Sequence, residues 1–121
     1  MAHQPAQPER MTAEAILALN DTKTDDLFIE EWGTTLKVQG LTKKQQLDVR
    51  ERSLVNGEVS AEKSQGFLFL EGVVEPRFSE DQLVPLFEKN AGVIDRILGR
   101  VLELSGMKAE DIRKKEGEFR P

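Results

Sequence analysis

The sequence contains no cysteine, no tyrosine and a single histidine, His3. The missing thiols exclude disulfides, thiolate nucleophiles, Fe–S clusters and every zinc site built from Cys and His. With one imidazole, placed at the very start of the chain, Ser–His and Cys–His nucleophile pairs are excluded too. No apolar run approaches the ~18–20 residues that span a bilayer. The opening MAHQPAQPER lacks the apolar core of a secretory signal. Neither a GxxxxGK phosphate loop, nor a GxGxxG turn after a strand, nor HExxH occurs. The expectation is a soluble, intracellular, non-redox domain without catalytic residues, metal or cofactor.

What remains is enough for one core. The chain has 121 residues, one domain's worth. Leu, Ile, Val and Phe number 34, too many for a wholly disordered chain. The net charge is −5, and it is unevenly spread: residues 1–31 hold seven acids and two bases, whereas residues 32–60 hold three acids and five bases. Lys43, Lys44, Arg50 and Arg52 come nearest to the basic stripe that nucleic-acid binders carry, and read as a solvated helix face.

Residues 1–11 read as a disordered tail, 12–116 as a single domain and 117–121 as a flexible end. Thr12 caps a short helix to about Asn20, with Ile16, Leu17 and Leu19 as its apolar side. Leu27, Ile29, Leu36 and Val38 alternate with polar neighbours and Phe28, which predicts a β-hairpin turning at Trp32-Gly33-Thr34. Thr42 and Gln45 form a capping box for a helix to about Val55 that buries Leu47, Leu54 and Val55, and Asn56-Gly57 stops it. Ser60 caps a third helix to about Val74, whose middle, Gly66–Leu70, fits helix or buried strand by pattern and is assigned to helix on its preceding residues. Ser79 and Gln82 form a second capping box, with Phe78 and Leu83 as its hydrophobic staple, and Pro85 shortens or kinks the helix they open. Val93, Ile94, Ile97, Leu98, Val101, Leu102 and Leu104 make the clearest amphipathic helix, stopped by Gly106. A last short helix is expected over about Ala109–Glu116. The predicted fold class is α+β, mainly helical, with five or six short helices and one N-terminal β-hairpin.

Candidate chemistry is sparse. Asp25, Asp26, Glu30 and Glu31 flank the hairpin, and such carboxylates serve as Mg²⁺ ligands or acid–base groups elsewhere; here they read as surface. Gly92 and Gly99 read as close-packing positions on a helix. Phe67 and Phe69 read as core. Trp32 and Phe28 on the hairpin, and Ile97 and Val101 on the apolar side of residues 93–104, are the partner-binding candidates, and that same apolar side offers a route to self-association.

The order of features resembles the tail assembly chaperones of long-tailed bacteriophages and prophages. The resemblance runs over residues 12–116. It is carried by Ala13-Glu14-Ala15-Ile16-Leu17, Asp21-Thr22-Lys23-Thr24, a strand ending in Glu31-Trp32-Gly33, the strand Leu36-Lys37-Val38, and Gly40-Leu41-Thr42 opening a polar helix. Phe78-Ser79-Glu80-Asp81 before Ala91–Leu104, and Ser105-Gly106-Met107 before Glu110-Asp111-Ile112, complete it. It implies a non-enzymatic protein of the host cytoplasm, absent from the finished virion. Its partners would be the tape measure protein, kept soluble, and the major tail tube protein, recruited around it, with no nucleic acid and no membrane. The family also makes frameshifted longer forms, for which Lys114-Lys115 marks a candidate slippage point. The alternatives are a helix-turn-helix-like nucleic-acid regulator built on residues 43–55 and 60–74, another host adaptor, and a small metal-dependent enzyme using the hairpin carboxylates.

Overall fold

The computed structural model describes residues 9–107, so the expected helix over Ala109–Glu116, the Lys114-Lys115 site, His3 and the ends of both tails lie outside the described residues. The fold is built around a hairpin. Strand β1 (Thr24–Ile29) and strand β2 (Thr34–Gln39) pair antiparallel from Thr24–Gln39 to Ile29–Thr34. Between them Glu30–Trp32 makes one 3-10 turn, closed by the Gly33 amide donating to the Glu30 carbonyl at 3.1 Å. Gly33 has φ +61°, a left-handed conformation that costs glycine nothing. Period-two alternation sends Leu27, Ile29, Leu36 and Val38 to one face and Asp26, Phe28, Thr35 and Lys37 to the other.

The sheet is larger than one hairpin. Helix α3 (Ala61–Gly72) ends at Gly72, and the next residues form β5 (Val73–Glu75), antiparallel to β2, so the order is β1-β2-β5 with β2 central. A second, two-stranded ribbon, β3 (Leu54–Val55) with β4 (Glu58–Val59), follows helix α2 (Lys43–Arg52). The expectation of a single N-terminal hairpin is therefore overturned: the described residues carry a three-stranded and a two-stranded sheet, with strands through the middle of the chain. Both misses have local causes. Asn56 and Gly57 both have positive φ, 53° and 81°, the requirement of a tight two-residue hairpin turn rather than of a helix stop alone. Val73 and Val74 continue an apolar run and are β-branched, which favours a strand once Gly72 ends the helix.

Five helices complete the described fold. α1 (Ala13–Leu17) is capped by Thr12, whose Oγ1 accepts from the Ala15 amide at 3.2 Å. α2 has the expected capping box: the Gln45 amide donates to Thr42 Oγ1 at 3.1 Å, and the Thr42 amide donates to Gln45 Oε1 at 2.9 Å. Residues 80–86 form a 3-10 turn (Glu80–Gln82) and then α4 (Leu83–Leu86), since Pro85 has no amide to offer the Asp81 carbonyl. α5 (Ala91–Leu104) is capped by Asn90. It ends in a Schellman motif, with the Met107 amide donating to Leu102 and the Gly106 amide to Glu103, each at 3.0 Å.

One layer of helices covers one face of the sheet. Val93, Ile94, Ile97, Leu98 and Val101 of α5 pack with Ile29, Leu36, Val38, Phe69, Val73 and Leu86 in a single core. Two close approaches fix the helices. A Cβ on Gly72 would stand 2.5 Å from the Val101 methyl groups, so α3 meets α5 only through a glycine. A Cβ on Gly40 would stand 2.3 Å from the Leu104 carbonyl oxygen, which presses the end of β2 against the end of α5. There the Leu41 amide donates to Ser105 Oγ at 2.8 Å, and that hydroxyl donates to the Val101 carbonyl at 2.7 Å. Gly99, expected as a packing glycine, has nothing within 4 Å of its would-be Cβ, and the Cβ of Gly92 would meet only the Asn90 side chain.

Candidate interaction surfaces

The four partner-binding candidates separate into two pairs. Ile97 and Val101 are 0% exposed and lie at the centre of the core, so the apolar side of α5 is used within the chain and offers no self-association surface. Phe28 is 60% exposed on the open face of the sheet, opposite Thr35. Trp32 is half-buried against the core at the hairpin turn. Phe28 is thus the candidate that the fold presents outward, while Trp32 helps anchor the turn beside it.

Two exposed apolar groups were not foreseen as sites. The first is the N-terminal arm. α1 buries no residue; Ile16, Leu17, Leu19 and the preceding Met11 are all exposed, Leu17 to 84%. The expected apolar side is therefore left largely exposed. A five-residue helix in water is far below the ~12–15 residues at which isolated helices become even marginal. The signal was present in the sequence: an apolar segment bounded within two turns by Asn20-Asp21 is too short to reach across a core.

The second group is a stripe on α2 and the ribbon, where Leu47, Leu54 and Val55 are exposed although all three were expected in the core. The cause is helical geometry. Val49 is the buried residue of α2, and Leu47, two positions away, points some 200° from it, to the solvent side. Lys43, Leu47 and Arg50 recur at spacings of four and three and so share one face of α2, while Leu54 and Val55 lie beyond its end, on β3. Lys44 and Arg50 make no ion pair among the described residues. Arg52 faces the other way: its guanidinium lies 4.1 Å above the Phe67 ring and within 3.8 Å of Asp48, Glu71 and Glu80. It ties α2 to α3 and is not part of a basic stripe.

The hairpin carboxylates divide as well. Arg96 holds Glu31 through two hydrogen bonds, 2.5 and 3.2 Å, and Arg100 holds Asp25 at 2.9 Å. The hydrogen bonds from Arg96 lower the Glu31 carboxyl below its ordinary value of 4.5. The hydrogen bond with Glu31 raises Arg96, and that with Asp25 raises Arg100. These pairs fasten α5 to β1 and its turn. Among the described residues no three acidic or His side chains gather as metal ligands, and no helix is long and apolar enough to cross a membrane. α2 and α3 are joined by the ribbon rather than by the 3–4-residue turn of a helix-turn-helix. A shallow apolar depression of about 200 Å³ lies between Phe78, Gln82, Pro85, Leu86 and Lys89. It is well below the ~300–1,000 Å³ usual for small-molecule sites.

No family model and no curated protein matches the chain. The chain is similar to the crystal structure of the protein YqbN, a target of the Northeast Structural Genomics Consortium, with a TM-score of 0.61 at 10% identity. The match covers 84% of this chain and 100% of that one, and what the two share is the fold.

Proposed function

We propose that the protein is a non-enzymatic tail assembly chaperone, which binds the tape measure protein of a long-tailed phage or prophage and recruits tail tube subunits around it. The reading starts from the ordered set of motifs around Glu31-Trp32-Gly33, Gly40-Leu41-Thr42 and Phe78-Ser79-Glu80-Asp81. The observation that carries it is the distribution of exposed apolar side chains: Met11, Ile16, Leu17 and Leu19 on the arm, Phe28 on the open sheet face, and Leu47, Leu54 and Val55 on the stripe. Together they give a small domain of net charge −5 several separate apolar surfaces. A long amphipathic client exposes apolar stripes that aggregate; a small charged domain that covers them keeps the client dispersed. Work in the host cytoplasm and absence from the finished virion belong to the same proposal.

The test is retention from infected or induced cells. A tagged copy should retain a long helical tape measure protein or the tail tube protein, and absence of both sinks the reading. Phe28→Asp, at an exposed position, should leave the melting temperature within a degree or two of wild type and weaken retention of the tape measure protein about tenfold, a leucine-sized contact in energy. Unchanged retention removes the open sheet face from the client surface.

A further inference from the structure

We infer that the depression between Phe78 and α4 is an anchor site for one large apolar side chain of the client, a leucine or phenylalanine with a carboxylate beside it in reach of Lys89 and Gln82, an assignment that rests on the reading of the protein as the holder of an amphipathic client. The apolar surfaces named so far do not include this place. It opens directly on the core: Leu86 is a core residue, 6% exposed, and Phe78 packs against the core with its ring edge-on to Phe69, the centroids 5.5 Å apart. Val84 and Pro85 are both exposed, Val84 to 75%, so apolar surface continues along α4 beyond the depression.

Size and chemistry select the occupant. A volume of about 200 Å³ is close to the ~150 Å³ at which an apolar cavity takes a benzene ring. It admits one aromatic or branched aliphatic side chain and no larger group. The polar groups at its rim are donors. Lys89 supplies an ammonium that takes part in no ion pair among the described residues. Gln82 Oε1 accepts from the Ser79 amide at 2.9 Å, so the group Gln82 has left for a ligand is its Nε2 donor. Among the described residues no carboxylate lines the depression, although Asp81 and Glu88 are the sequence neighbours of Gln82 and Lys89 and the chain as a whole is acidic. Donors around an apolar floor match an apolar side chain that has an anionic acceptor next to it. The walls are set before a ligand arrives: the capping box holds Gln82, Phe69 backs the Phe78 ring, and Pro85 has a fixed φ. Docking therefore orders little that is not already ordered. On an amphipathic helix, a carboxylate three or four positions from the anchoring residue lies on the same face and reaches the rim.

The test titrates the full chain with N-acetyl-phenylalanine, which joins a ring to a carboxylate, and with its neutral amide, and follows the backbone amide chemical shifts. The wild type should show saturable shifts centred on Phe78, Leu86 and Lys89. It should bind the acid about two- to fivefold more tightly than the amide, the range of an exposed ion pair. Lys89→Glu, at an exposed position, should keep the wild-type circular dichroism and melting temperature and lose the preference for the acid. Pro85→Glu, which sets a charge against the apolar floor, should abolish saturable binding of both. Shifts that spread over the surface without saturating, equal binding of acid and amide, or a preference that survives Lys89→Glu overturns the inference. In infected or induced cells, Lys89→Glu should also retain less tape measure protein than the wild type does. A wild type that retains neither tape measure nor tail tube protein sinks the proposed function while the titration still decides the site. Equal retention by wild type and Lys89→Glu overturns the assignment of the site to the client.

Discussion

Gly72, Gly40 and Gly99 are all glycines in or beside regular structure, and they are predicted to respond in opposite directions to the same added methyl. At Gly72 the new carbon would stand 2.5 Å from Val101, and at Gly40 2.3 Å from a backbone carbonyl. Neither neighbour is the loose end of a flexible side chain, so each Gly→Ala change should destabilise by about 1–3 kcal/mol, the usual cost of overpacking. At Gly99 the methyl meets nothing within 4 Å. The helix-propensity gain is then unopposed, and Gly99→Ala should stabilise by about 1 kcal/mol. Chemical denaturation of the three variants checks the order. The ion pair of Glu31 gives a second test at this scale. Its carboxyl is lowered in the folded protein by the hydrogen bonds from Arg96. The stabilisation is therefore fully present above the ordinary value of 4.5 and is lost as the pH falls through the lower folded value. Wild type should melt above Glu31→Gln at neutral pH, and the gap should close in acid. The pair is exposed, so the gap will be small and will shrink in salt.

At the scale of elements, the ribbon offers the sharpest prediction. Gly57 has φ +81° at the turn between β3 and β4, and Ser53 at the ribbon's base is fully buried, its hydroxyl donating to the Val49 carbonyl and its own carbonyl accepting from the Ser60 amide. Gly57→Ala should cost about 1–2 kcal/mol from the left-handed backbone alone, since a Cβ there meets no neighbour. Denaturant midpoints measure it. The same element shows where the sequence was legible. Capping boxes at Thr42 and Ser79 and the Gly106 stop are local chemistry and legible directly. The hairpin over β1 and β2 was legible because alternation over six residues leaves one choice of face. Strands of two or three residues carry no period at all. β3 and β4 were hidden behind an Asn-Gly that also ends helices, and β5 behind two valines that extend an apolar run. Leu47 was misassigned for a related reason. With two apolar residues in α2, periodicity cannot say which of them faces in.

The whole molecule joins a hairpin early in the chain to α5, which follows every other described element. Arg96 and Arg100 reach partners 65 and 75 positions away, and α5 supplies five of the eleven core residues. Residues that bind a partner are less legible than residues that bind each other, because a core is tested by the chain's own pattern and a docking face is not. Ile97 and Val101 carry the pattern of a candidate face and are core; the arm carries the pattern of an ordinary amphipathic helix and buries none of its residues. Removing residues 1–19 should therefore leave thermal stability almost unchanged, which calorimetry reads directly. The placement of α5 has a consequence for synthesis. While the ribosome is still making the chain, β1, β2, α2 and α3 emerge with their apolar faces uncovered, and nothing can close the core until the helix from Ala91 to Leu104 has left the exit tunnel. The core thus stays open until that helix has emerged, and a message cut short before it yields a chain that other proteins must hold or destroy.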